Sequence, residues 1–446
     1  MQTKANELVK IEYDSSFKLK FWLLLSVFYL MFFIRNVIGF EFPVLAYLAW
    51  VVVMALAFDF NEAKALLVTF IPFFPAFQYK YAVLICLFIL VFKNFKRITL
   101  SKACIWGVLI MLWELIHVAV FDDSILEFVR GFAEFICFML LISISSDKEY
   151  DISKLIRSLG ISSTVAFIML VIVTLQNKDS SLLSLLEEGF RFGISENTED
   201  FFNFNYNANG LGYMCNLVIC GVLINIHNKK AKIIDYVSMV VCIFVGALTI
   251  SRAFLVCLVL TFILYLLLQN KPIKKKISTV LIIAFACIIA ILILSLAAPA
   301  VIENYVERFS VEDVTGGRSY LYDFYNVFIF SSPLRVFFGI GIQDVTDKIL
   351  QFEKIEIDVP HDGYQQLIVA WGMIGFAFMF LFLLFLFFDV KKKNKSIAWI
   401  AYLPLLMLLI NNLAGQFITD GFKILSLILV YEILLMNSKG SLNGNG

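Results

Sequence analysis

Apolar runs long enough to cross a bilayer recur along almost the whole of this 446-residue chain. A helix needs about 20 such residues to fill the hydrocarbon core. Inside that core every backbone N–H and C=O must be bonded within the protein, which restricts what these runs can become. Charged residues make up 16% of the chain and hydrophobic residues 61%. A soluble globular domain carries roughly 25% charged residues. The mean hydropathy of +0.88 is too high throughout for a soluble domain with one anchor. The expected fold class is all-α: a polytopic transmembrane helical bundle, forming a single membrane domain over 1–446.

Apolar windows predict about 14 spans. They lie near 20–39, 43–59, 63–77, 80–93, 103–121, 126–146, 158–175, 208–227, 232–249, 251–269, 276–298, 364–389, 396–414 and 421–437. The third and fourth are short and interrupted by prolines in IPFFPAF, so they read as broken or re-entrant, and the count becomes about 12 if they do not cross. Alternate connections are rich in Lys and Arg: KNFKR, SDKEYDISKLIR, HNKKAK, NKPIKKK and DVKKKNK. The positive-inside rule then predicts both termini in the cytoplasm and the two long loops, 176–207 and 298–363, outside. The charged N-terminus lacks a cleavage pattern, so the first helix is expected to be retained. The tail after 437, ending GSLNGNG, is expected to be disordered.

A chain this apolar does not keep a polar loop over 298–363 without reason, and that loop is the expected meeting place with substrate. Within it, RSYLYDFYNVFIF places Leu321, Phe324, Val327 and Phe328 at helical spacing, as in an amphipathic helix lying on a membrane surface. The segment VFFGIGIQD is expected to dip back into the headgroup region. Both long loops are acidic, so the arginines on that side stand out: Arg191, Arg252, Arg308, Arg318 and Arg335. Arg252 follows Ser251 at the start of an apolar helix. It reads either as a snorkelling side chain or as an anion site, where a guanidinium fork and a helix N-terminus both favour phosphate. Arg318, after Gly316 and Gly317, reads as a lipid-phosphate contact or a substrate ligand. His361, in PHDGYQQL, stands at a span mouth, where an imidazole can accept or position a hydroxyl proton. His117, within a span beside Glu114, reads as a packed polar group.

Arg191 precedes NFNYNANG, whose asparagines, Asn207 among them, either cap the next helix or bind sugar hydroxyls. Tyr322 and Asp362 complete the candidate substrate-binding set. The eight cysteines fall in or beside apolar runs and read as packing thiols. There is no phosphate-cradling Gly-rich loop and no metal-ligand spacing, so no cofactor and no metal are expected. The net charge of +1 and the lack of a basic soluble domain give no sign of nucleic-acid binding. Any enzyme here would need a substrate already activated in the membrane.

The order of these pieces resembles the O-antigen polymerase and O-antigen ligase superfamily over roughly 185–390. It runs through RFG, NYNANG, SRAF, GGRSYLYDF, SSPLRVFFGIGI and HDGYQQLIVAWGMIG. Two departures are visible: Asn205-Tyr206-Asn207 stands where the family often has Asn-Pro-Asn, and His361-Asp362 where it often has His-Asn. The resemblance implies a glycosyltransferase of the bacterial cytoplasmic membrane using polyprenyl-diphosphate-linked oligosaccharides as donor and acceptor. Arg252 and Arg318, with Arg191 as a third, would stabilise the leaving diphosphate. His361 would position or deprotonate the acceptor hydroxyl, and Asp362 would orient His361 or raise its basicity. A polymerase extending O-antigen or capsule is the leading expectation. The alternatives are a ligase transferring glycan to lipid A-core and, further off, a flippase for the same lipid. Membrane lipids and a chain-length regulator are the other implied partners.

Overall fold

The computed structural model describes residues 2–40, 43–73, 79–144, 151–192, 208–269, 272–278, 281, 292, 295–296, 298–310, 319–358, 360–414 and 421–436. Among them there is no strand, only an isolated bridge between Ile98 and Ile144. The membrane-sized framework runs α1 (Gln2–Asn36), α2 (Val44–Ala57), α3 (Phe60–Thr69), α4 (Tyr79–Lys93), α5 (Lys102–Phe121), α6 (Ile125–Ser143) and α7 (Ile152–Lys178). After the short α8 (Leu182–Glu187) come α9 (Ala208–His227), α10 (Ile233–Leu248) and α11 (Arg252–Leu268). The large loop contains α12 (Pro299–Ser310), α13 (Ser319–Phe330), α14 (Pro333–Phe338) and α15 (Val345–Glu353). It is followed by α16 (Gly363–Lys393), α17 (Leu403–Asn411) and α18 (Gly421–Met436). Among the described residues, five helices are long and apolar enough to cross a membrane: Leu19–Asn36 of α1, and α5, α7, α9 and α16. Every expected span except 276–298, most of which lies outside the described residues, corresponds to a helix.

The interrupted third span is real. Asp59 and Glu62 form a capping box that starts α3, and the helix stops after 10 residues, about 15 Å. A 3-10 turn, Ile71–Phe73, follows it. One end of the bundle gathers the lysines, and they meet helix C-termini whose last carbonyls lack intrahelical partners. Lys20 Nζ donates to Ala57 O at 2.5 Å, and Lys93 Nζ to Leu56 O and Phe58 O at 3.0 and 2.6 Å. Lys393 Nζ donates to the Tyr431 hydroxyl at 2.9 Å, and the Asn394 amide to Leu434 O at the end of α18. The apolar part of α1 therefore begins, and α18 ends, at this same lysine-rich end. The large loop lies at the other end.

The largest departure from regular helix is in α16. At Gly372, φ is 63° and ψ is −171°, a conformation open to glycine and strained for other residues. Before the break three carbonyls in a row receive donors from outside the helix, two from the large loop and one from α5. Ile340 N–H donates to Val369 O at 3.0 Å and Gly341 N–H to Ala370 O at 2.7 Å. The Trp113 indole of α5 donates to Trp371 O at 2.9 Å. The FFGIGI segment thus lies against the broken helix as a third piece of backbone. Glu114, buried, accepts from Ile342 N–H and the Trp371 indole at 3.1 and 2.6 Å. The two ring nitrogens of His117 lie 2.9 and 2.7 Å from Trp113 O and Phe338 O, the packed role expected for it. Lys348, in ion pair with Asp123 at 2.5 Å, also reaches Ile340 O.

Helix α13 is amphipathic, but its inner face differs from the expected one. Leu321, Tyr325, Phe328 and Ile329 are buried, while Val327 points outward. Tyr325 turns inward because its hydroxyl finds Asp358 O at 2.8 Å. The expected disordered tail lies outside the described residues. The seven described cysteines are buried or half-buried thiols.

Candidate functional site

The arginine group is built on the turn between α10 and α11. Helix α10 ends at Leu248, and Ile250 takes φ 47°, a left-handed conformation that a β-branched residue adopts only under strain. Ser251 N-caps α11 by accepting from Phe254 N–H and donates its own hydroxyl to Asn209 Oδ1 at 2.7 Å. Three successive carbonyls at the end of α10 each receive a donor from another element. Tyr305 hydroxyl donates to Ala247 O at 2.5 Å, Phe192 N–H to Leu248 O at 3.0 Å, and Arg191 Nε to Thr249 O at 2.8 Å.

Arg252, the first residue of α11, donates to Arg308 O at 2.9 Å, near the C-terminus of α12. Asn304 ties the same helix to Gly189 O at 3.0 Å. Burial pushes the Tyr305 phenol up, against the downward pull of the Arg191 and Arg308 charges. The structure therefore places Arg191 and Arg252 against α12, beside Arg308 and Tyr305 of that helix. The signal that finds these two in the sequence is their i, i+3 spacing, which puts both on one helix face.

The histidine group forms where the large loop enters α16. His361 Nε2 lies 3.4 Å from Asp358 Oδ2. Asp362, the expected orienter of His361, is occupied differently: Oδ1 N-caps α16 by accepting from Tyr364 and Gln365 N–H at 2.8 and 3.3 Å. A carboxylate one residue before a helix meets that helix's unpartnered N–H groups first, which leaves the histidine to the carboxylate three residues upstream. Burial raises the Asp362 carboxyl above its ordinary range, and the two backbone N–H bonds pull the other way. Gln365 Nε2 donates to Tyr322 O and Asn326 Oδ1, both at 3.1 Å. Tyr322 thus meets this group through its carbonyl.

Helix α17 packs against α9 and α11 and, through Leu409 O, accepts the Tyr364 hydroxyl at 2.9 Å. It thus touches elements that carry both groups at the lysine-poor end. Arg318 and Asn207 lie outside the described residues. Among the described residues no cluster of His, Cys, Asp and Glu is arranged to hold a metal ion. No protein-family model matches the chain, and no curated protein matches it.

Such an arrangement suits anionic chemistry at a membrane surface. Guanidinium forks match phosphate oxygens in pairs, and low-dielectric surroundings strengthen each contact. An imidazole beside a carboxylate has its ring orientation and basicity set by that neighbour.

Proposed function

We propose that this chain is a polysaccharide polymerase of the bacterial cytoplasmic membrane. It joins polyprenyl-diphosphate-linked oligosaccharide units on the extracytoplasmic side, with both termini in the cytoplasm. The observation that carries the proposal is the placement of Arg191 and Arg252 against α12, which itself carries Arg308, at the same end of an apolar bundle as His361 and Asp358. In the reaction a sugar hydroxyl oxygen attacks the anomeric carbon of the donor. The bond from that carbon to the diphosphate oxygen breaks, and its electron pair leaves with the diphosphate. The arginines stabilise the charge that builds there. His361 takes the proton of the attacking hydroxyl, and Asp358 stabilises the imidazolium that results. The sequence resemblance assigns Arg318 to the same leaving group.

The test is glycan chain length in a strain deleted for this protein and complemented with variants. Wild type restores long chains, whereas Arg252→Ala and His361→Ala leave single repeat units at equal membrane abundance. Long chains from both variants overturn the proposal. Single units accumulating on the cytoplasmic face would mark a flippase instead, and full-length polymer left on its lipid carrier would mark a ligase.

A further inference from the structure

The large loop carries an apolar strip that the bundle does not cover. Val327, Phe330, Leu334 and Phe337 are 71%, 73%, 70% and 52% exposed. They run from the last turns of α13 through α14, and the strip continues into Phe338 and, across the break in α16, Met373. We infer that this strip is inserted in the acyl-chain region of the leaflet at the lysine-poor end. On this reading, α14 and the FFGIGI segment form a re-entrant element rather than a lid lying above the membrane. The inference rests on the bundle alone and holds whatever the chemistry of the site.

Three observations support lipid as the occupant. The first is depth. Helix α5 has 20 residues, about 30 Å, which matches the thickness of the hydrocarbon core. The Phe338 ring stacks on Trp113 at 5.4 Å, and Phe338 O lies 2.7 Å from His117 Nε2. Those two α5 residues sit roughly 12 and 6 Å inside the Phe121 end at helical rise. The second is continuity: Ile116 and Val120 of α5 and Met373 of α16 are exposed apolar residues of spans, on elements that α14 and FFGIGI touch directly. The third is backbone accounting. Irregular backbone at membrane depth is tolerated only where its polar groups are bonded. Here Gly339, Ile340 and Gly341 N–H donate to Arg335, Val369 and Ala370 carbonyls, and Ile340 O accepts from Lys348. Arg335 has its charge met by Glu353 at 2.6 Å and by the Phe328 ring at 4.1 Å, so it can sit at the headgroup boundary.

The experiment is nitroxide labelling of the full-length protein in vesicles of phosphatidylethanolamine and phosphatidylglycerol. Phe337→Cys and Leu334→Cys are read against Ile116→Cys, on a span, and Asp323→Cys, on the polar part of α13. The labelled parent protein sets the background from native cysteines. Collision with oxygen should exceed collision with a charged nickel chelate at 334 and 337, as at 116, and the ratio should invert at 323. Chelate access at 334 and 337 equal to that at 323 overturns the inference in favour of an aqueous loop. Shielding from both reagents overturns it in favour of a protein partner or a second copy. Two labelled positions keep the test decisive if one variant does not assemble.

Discussion

Arg191 and Arg252 each close the C-terminal end of a helix, at Thr249 O and Arg308 O, and each also carries a charge that a neutral capping donor would lack. Structure and chemistry therefore make separable demands on the same side chain. Arg252→Ala should lower transfer on the order of a hundred-fold, the usual loss for one preorganised charge stabiliser. The lost capping bond should lower stability by only about 1 kcal/mol. Arg252→Lys should fall between, because an ammonium keeps the charge without the fork. Initial rates in membranes, with melting of the purified protein alongside, separate the two effects. Asp362 offers a pH test. Its folded carboxyl is raised by burial, so the folded chain holds that proton more tightly than the unfolded chain does. The associated stability is complete below the unfolded value and is lost as pH rises through the folded one. Asp362→Asn keeps a cap acceptor and sheds the charge, so it should melt above wild type at neutral pH, with the gap closing in acid. Asp362→Ala, without a cap, should lose about 1 kcal/mol. A lower melting point for Asp362→Asn at neutral pH contradicts the argument. In the sequence, Arg252 was legible because Ser251 announces a helix start beside it. Asp358 was not, because adjacency favoured Asp362 as the partner of His361, and only the cap geometry shows that Asp362 is engaged elsewhere.

At the scale of elements, hydropathy located the helices well because length and apolarity are properties of a window. It could not locate the break in α16. In WGMIG a helix and a helix with a left-handed glycine have the same hydropathy, and the deciding partner, FFGIGI, lies some thirty residues earlier in the chain. The junction depends on two glycines in facing segments. A Cβ on Gly339 would lie 2.4 Å from Ala370 O, and one on Gly372 would lie 2.3 Å from the Phe337 backbone, both at positive φ. Gly339→Ala and Gly372→Ala should each therefore cost at least about 2 kcal/mol, combining steric overlap with left-handed strain. Gly131, inside α6, has nothing within 4 Å of an added Cβ, and Gly131→Ala should stabilise by roughly 0.5–1 kcal/mol through helix propensity. Thermal melting of the three variants checks the contrast. Equal effects at all three positions would mean that the junction is not tightly packed.

The molecule as a whole is held by contacts between distant parts of the chain, and one of them bears on what kind of membrane protein this is. Lys64 of α3 and Glu432 of α18 meet at 2.8 Å, 368 residues apart in sequence, with 2% and 4% of their side chains exposed. An ionisable pair inside a membrane bundle is a functional candidate by default. The short α3 and the broken α16 are also the kind of discontinuous helices from which transporters build their sites. A polymerase needs nothing from this pair except its geometry; a proton-coupled carrier needs its charge. Removing one partner leaves an uncompensated buried charge, so Lys64→Met or Glu432→Gln alone should cost about 3–5 kcal/mol and reduce membrane abundance. Replacing both, as Lys64→Met with Glu432→Leu, removes the charge together with the desolvation cost, and stability should return to within about 1 kcal/mol of wild type or better. Polysaccharide chain length in the deletion strain then decides between the two readings. Wild-type chains from the double variant assign the pair to architecture and the chemistry to the opposite end of the bundle. A double variant that assembles at full abundance yet leaves single units on the cytoplasmic face would make the pair part of a transport path, and the arginine and histidine groups would have to be reread as gates.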